Sequence, residues 1–130
     1  MTIAAIITTC AAVAALGLAA DASAQPSRNA DQCFFTRDIQ NILAPDDHTL
    51  YLRVRNSAIY RIDTVAECPQ LPFNDGHISL QTTPGASTVC SAIDLDLKVF
   101  NNGVSTPCLI KSLQKLTPQE AAALPKTDTP

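Results

Sequence analysis

The chain has no tryptophan, one methionine and only four glycines in 130 residues. With so little glycine, none of it in a phosphate-cradling or dinucleotide-binding pattern, cofactor loops are excluded. There is no Gly-x-Ser-x-Gly elbow and no His-Glu-x-x-His helix, so the common hydrolase and zinc-protease patterns are absent as well. Cysteines are present, yet none lies two to four residues from another, and neither His48 nor His77 is near one. That spacing argues against a zinc knuckle and against a dithiol redox pair. Nine Lys and Arg are scattered rather than clustered, and without a basic tail or helix nothing points to a nucleic-acid partner. After the first two dozen residues no apolar run approaches the length that spans a bilayer.

The amino terminus is different in kind. MTIAAIITTCAAVAALGLAADASAQP is an apolar run ending in Ala22-Ser23-Ala24, the small-x-small pattern cut by signal peptidases, so residues 1–24 are expected to be a signal peptide and the mature chain to begin at Gln25. No Lys or Arg precedes the run, and Cys10 lies inside it, where it is lost with the leader. Loss of Asp21 moves the formal charge from -3 to -2, close to neutral. Four cysteines remain, Cys33, Cys68, Cys90 and Cys108, an even number in an exported chain, which implies two disulfides in an oxidising compartment. A domain of this size has a modest core, and each crosslink is expected to add about 2 to 4 kcal/mol.

Residues 25–32 are polar and contain Pro26, as a flexible tether would, and order is expected from Cys33. From Cys33 to Leu43 the apolar residues fit a strand with an irregularity, a reading favoured by the turn Ala44-Pro45-Asp46-Asp47-His48 that follows. Thr49 to Asp63 reads as a β-hairpin. Setting Val54 opposite Ala58, Leu52 opposite Tyr60 and Leu50 opposite Ile62 places all six on one side. Glu67 to Pro72 is an irregular crossing broken twice by proline, pinned by Cys68. His77 to Thr82 is a short strand. Ile93, Leu95, Leu97 and Val99 alternate with Asp94, Asp96 and Lys98, predicting a strand with four aliphatics inward. Asn101-Asn102-Gly103 reverses the chain and a returning strand begins at Cys108. Thr117-Pro118-Gln119-Glu120 is a capping box with proline at the first helical position, opening a short helix that stops before Pro125, and residues 126–130 are expected to fray. The predicted fold over residues 33–125 is all-β, a small antiparallel sheet or barrel of about five or six strands with a terminal helix.

Strand spacing weighs on the disulfide pairing. Cys90 sits about eight residues before the end of its strand, roughly 25 Å from Cys108, and Cys33 is likewise separated from Cys68. Two connectivities remain open, Cys33–Cys108 with Cys68–Cys90, or Cys33–Cys90 with Cys68–Cys108. The first is preferred because it ties the first strand to the last.

The residues Cys33-Phe34, Asp38-Ile39, Leu50-Tyr51-Leu52, Tyr60-Arg61, Cys68, Val89-Cys90, Asp94, Cys108 and Leu116-Thr117-Pro118-Gln119-Glu120, taken in order, resemble a family of small exported bacterial proteins classified as a domain of unknown function. The resemblance implies a periplasmic or secreted protein of a Gram-negative bacterium; it carries over no activity and no site.

Three groups of side chains are candidates for chemistry. Asp94 and Asp96 should share a strand face about 7 Å apart, where they could hold a hard cation or simply keep the face wet beside Lys98. Asp46, Asp47 and His48 cluster in a turn that explains the acids by backbone bonding, and His77 stands alone. Tyr51, Arg53, Arg55 and Arg61 fall on the outer face of the hairpin, with Tyr51 across from Arg61, and form the best candidate binding face, since guanidinium groups beside an aromatic ring recognise carboxylates, phosphates or sugars. With no catalytic residue, metal site or cofactor assigned, the expected function is a non-enzymatic module binding a protein or envelope component through that face. The alternative is a small inhibitor of an exported protease or lysozyme, presenting the loop from Leu71 to Gly76.

Overall fold

The fold was taken from a computed structural model that describes residues 30–73 and 77–130. The leader, its cleavage site and most of the tether lie outside the described residues. Among the described residues seven strands form two antiparallel sheets. One sheet has the order β1 (Ile39–Leu43), β2 (Thr49–Val54), β3 (Ala58–Thr64), β7 (Ile110–Lys115), and the other runs β4 (Ile78–Thr82), β5 (Leu95–Asn101), β6 (Val104–Cys108).

The hairpin β2–β3 has the register that its aliphatic alternation predicts. Val54 faces Ala58, Leu52 faces Tyr60 and Leu50 faces Ile62. Arg55 takes a positive φ of 54° at the reversal. Leu50, Leu52 and Ile62 have no exposed surface, because a one-residue slip would send them to water, at about 1.5 to 3 kcal/mol per side chain. From the opposite sheet Leu95, Leu97 and Val99 join them in one shared core. Phe34 stitches the layers together. Its N–H donates to the Val89 carbonyl at 2.9 Å, the Val89 N–H returns the bond at 2.8 Å, and its ring tilts against Tyr60 at 4.6 Å between centroids.

Several local expectations hold. The irregularity in the first strand is a bulge between Ile39 and Asn41. Asp46 accepts from the N–H groups of His48 and Thr49, at 2.8 and 2.7 Å, which makes the turn before β2. Asn102 and Gly103 take φ of 49° and 81° between β5 and β6. Helix α1 (Pro118–Ala122) opens with the full capping box, Glu120 accepting from the Thr117 N–H at 2.7 Å and Thr117 Oγ1 accepting from the Glu120 N–H at 3.2 Å. These backbone and hydroxyl donors hold the Glu120 carboxyl below its usual range.

Other expectations need correction. The β5 strand starts at Leu95, not Ile93, because Ala92–Asp94 form a 3-10 turn that leaves Ile93 73% exposed. Where one returning strand was expected from Cys108, there are two, β6 before it and β7 after it. Val104 to Pro107 are exposed throughout and carry no alternation to read. Leu109, 74% exposed, is the joint at which the chain leaves one sheet for the other. The tether is docked at its end, where Gln32 Nε2 donates to the Leu113 carbonyl at 2.7 Å. The final residues turn on the Pro125 carbonyl, which accepts from the Asp128 N–H and Thr129 hydroxyl, and Pro130 is buried.

The disulfides are Cys33–Cys90 and Cys68–Cys108, with Cα separations of 4.1 and 5.7 Å, so the preferred pairing is overturned in favour of its alternative. Each bridge follows from a neighbouring backbone contact. The Phe34–Val89 exchange sets Cys33 beside Cys90. The Val65 N–H donates to the Leu109 carbonyl, which lays the chain after β3 against the joint before β7 and brings Cys68 to Cys108.

Leu52→Ala should lower unfolding stability by about 2 to 5 kcal/mol in a urea titration, whereas Ile93→Asp should stay within about 0.5 kcal/mol because Ile93 is in water. Burial raises the Tyr60 phenol above its ordinary value, with Arg55 opposing. The folded state therefore keeps its proton after the unfolded chain has lost it, so this contribution is complete below pH 10 and declines above it. Urea midpoints measured from pH 9 to 11 should fall in wild type and fall less in Tyr60→Phe.

Candidate functional site

The outer face of the hairpin is already occupied by its own contacts. Tyr51 does stand across from Arg61 and Arg53 across from Ile59, yet Tyr51 and Ile59 are only 7% and 6% exposed. The ring edge and face expected to greet a ligand are covered. Arg61 bonds Asp63 through two nitrogens, Nε and Nη2 both at 2.9 Å, and this bond foremost raises its pKa further. Arg55 bonds Asp38 the same way, both nitrogens at 3.1 Å. Arg53 is half-buried, its Nε enclosed without a hydrogen-bond partner. Exposed pairs of this kind add little stability, but they occupy the guanidinium edges that an anionic ligand would need.

The acidic pairs also resolve into structural roles. Asp94 turns back to accept from the Cys90 N–H, the Ser91 N–H and the Ser91 hydroxyl, at 3.1, 3.0 and 3.0 Å. It caps the 3-10 turn. Asp94 and Asp96 therefore do not share a strand face as expected. Asp96 instead pairs with Lys98 at 2.7 Å. The exposed His77 contributes its carbonyl, which accepts from the Phe100 N–H.

One convergence was not legible in sequence. Asp47, His48 and Glu67 bring one ligand atom each to within 4.8 Å of one another, with Asp47 Oδ1 3.7 Å from His48 Nε2. Glu67 arrives because the Cys68 N–H donates to the Asp47 carbonyl at 2.8 Å. A carboxylate pair with an imidazole suits a borderline divalent cation, but Glu67 and His48 stand in solvent, where polar loop residues reach such spacings unaided.

The larger feature is a cleft of about 760 Å³ between β7 and the β5–β6 sheet. Leu95, Leu97, Cys108 and Leu113 form its floor and walls, and Ile93 and Leu109 stand on its rim. Its size falls within the range of small-ligand and peptide sites. It exists because the chain switches sheets at Leu109, so β6 and β7 are consecutive in sequence but do not pair. The available signal was the run Cys108-Leu109-Ile110. Three apolar residues in a row cannot all face inward from one half-buried strand, so at least one must lie outside. The loop from Leu71 to Gly76, on which the inhibitor reading depends, lies partly outside the described residues.

The model of a family described as "Family of unknown function (DUF6491)" covers residues 2–129. No curated protein and no solved structure matches the chain.

Asp94→Ala should cost about 1 to 2 kcal/mol in a denaturant titration, because three donors lose their acceptor. Asp96→Asn should stay within about 0.5 kcal/mol, and millimolar calcium should shift the thermal midpoint of neither variant nor of wild type.

Proposed function

Because the chain belongs to the DUF6491 family, whose function is unknown, we propose from its geometry that it is a non-enzymatic binding module working outside the cytoplasm. It receives part of another protein or an envelope component in the cleft beside β7. The observation that carries this reading is the cleft itself, where Ile93 and Leu109 stand 73% and 74% exposed at the mouth of a pocket floored by core leucines. Exposed aliphatics gathered around one concavity mark interaction sites more often than isolated ones do. By contrast, two of the hairpin arginines are bonded to carboxylates of their own chain, so the cleft replaces that face as the binding surface.

Export is supported by two disulfides, which persist in oxidising compartments, and is compatible with the finding that no helix among the described residues is long and apolar enough to cross a membrane. The leader read in residues 1–24 would supply the route. Periplasmic or secreted placement is part of the same proposal.

The test is comparative capture from periplasmic extract, using wild type, Ile93→Asp with Leu109→Asp, and Arg55→Ala with Arg61→Ala. Partners held by wild type should fall at least tenfold with the cleft pair and persist with the arginine pair. The reverse pattern would move the site back to the hairpin.

A further inference from the structure

Both disulfides border the cleft, since Cys90 and Cys108 are in its lining, but they differ in access. Cys68 and Cys108 are only 1% and 9% exposed. Cys33 and Cys90 are each half-buried, so theirs is the bridge more open to an attacking thiol. Thiol–disulfide exchange depends on such access.

The more accessible bridge also anchors a strap. Immediately before Cys33, the 3-10 turn Ala30–Gln32 lies across the edge of β7. Gln32 is part of the cleft lining; its Nε2 donates to the Leu113 carbonyl at 2.7 Å, and Lys115 Nζ donates to the Asp31 carbonyl at 3.2 Å in an exposed bond. One neutral bond and one exposed bond return less than the entropy lost in holding three residues in a single conformation. The turn therefore needs the covalent anchor beside it. Beyond Cys33 the chain is fixed independently, because Phe34 exchanges two backbone bonds with Val89 and is buried in the shared core. Cys90 is held in its turn by the Asp94 carboxylate, which accepts from its N–H. Cutting the bridge thus leaves both sheets and Cys90 in place and frees the chain before Phe34.

Resting on the cleft reading above, we propose that Cys33–Cys90 is a redox latch on the cleft. Oxidised, it keeps the Ala30–Gln32 strap across the β7 side. Reduced by a dithiol, it releases the strap, which swings about Phe34 and opens the cleft to its occupant. In the exchange a thiolate of the dithiol attacks one sulfur of the bridge, and the other sulfur leaves as a thiolate and takes up a proton. The reagent's second thiol then displaces the remaining protein cysteine from the mixed disulfide. Cys33 and Cys90 end as thiols, having gained two electrons and two protons, and the dithiol departs as its own disulfide. The reverse exchange closes the latch.

Graded dithiothreitol tests it on the intact mature protein, with alkylation to map the thiols and Nile red as the probe of the cleft. Cys33 and Cys90 should become alkylated at a concentration at least tenfold below that which opens Cys68–Cys108, with the β-sheet circular dichroism unchanged. Over the same range Nile red emission should rise at least threefold and return on reoxidation. Cys33→Ser with Cys90→Ser should show the raised emission without reductant, and Ile93→Asp with Leu109→Asp should abolish the rise. Simultaneous opening of both bridges, loss of the sheet signal once Cys33–Cys90 alone is cut, or unchanged emission from the folded, opened protein would overturn the latch. So would a rise that persists undiminished in the Ile93→Asp, Leu109→Asp variant. If captured partners are lost with those two substitutions but are held equally with the bridge intact or open, the latch alone is overturned and the cleft reading stands. Capture indifferent to the two substitutions would sink both.

Discussion

The structure depends on the way the chain leaves β6 and enters β7. Continuing straight from Cys108, it would have extended the β4–β5–β6 sheet. Instead it bends at Leu109 and pairs with β3, as the Val65 N–H to Leu109 carbonyl bond records. Both sheets thereby acquire a strand from the same stretch of chain, and each presents an aliphatic face to the other. The Cys68–Cys108 bridge holds the joint from one side. The second bridge, beside the Phe34–Val89 exchange, ties the first ordered residues to the far sheet, so the layers are crosslinked at two separated places. In a small domain with limited apolar burial, such constraints on the unfolded chain add about 2 to 4 kcal/mol each to a small net stability.

The same bend separates two kinds of surface. Over most of the molecule polar residues are engaged close to home: Asp46 makes a turn, Asp94 caps another, Asp63 and Asp38 hold Arg61 and Arg55, and Glu120 closes the helix cap. These groups have little capacity left for a ligand. Around the cleft the reverse holds, because among the described residues the strand edge there has no β partner, two aliphatics face water and two lysines lack carboxylates. Native proteins ordinarily blunt an exposed edge. Here the cover is the Gln32 side-chain amide and the short turn from Ala30 to Gln32, a lighter cover than a strand or helix would be.

The chain's membership of a family without known function gives this contrast its weight, since no activity comes with the family. Candidate residues chosen by type alone, arginines beside a tyrosine and alternate aspartates, turned out to be those most fully used by the fold. The residues that border unoccupied space, Ile93 and Leu109, are chemically plain and were read as ordinary core or strand positions.

What the sequence determined by itself is local. The hairpin register, the Asp46 turn, the Asn102-Gly103 reversal and the Thr117–Glu120 capping box all rest on residues within about a dozen positions of one another, where alternation and turn chemistry leave one low-energy arrangement. The disulfide pairing, the exposure of Ile93, the burial of Tyr51, the meeting of Glu67 with Asp47 and the cleft were decided only by tertiary structure. The Cys68–Cys108 bridge and the cleft depend on which sheet β7 joins, and alternation within a strand is the same whichever neighbour it pairs with. That choice is made by contacts between residues some fifty positions apart, such as Ile62 with Leu113, and it is these that place a free strand edge beside an apolar hollow.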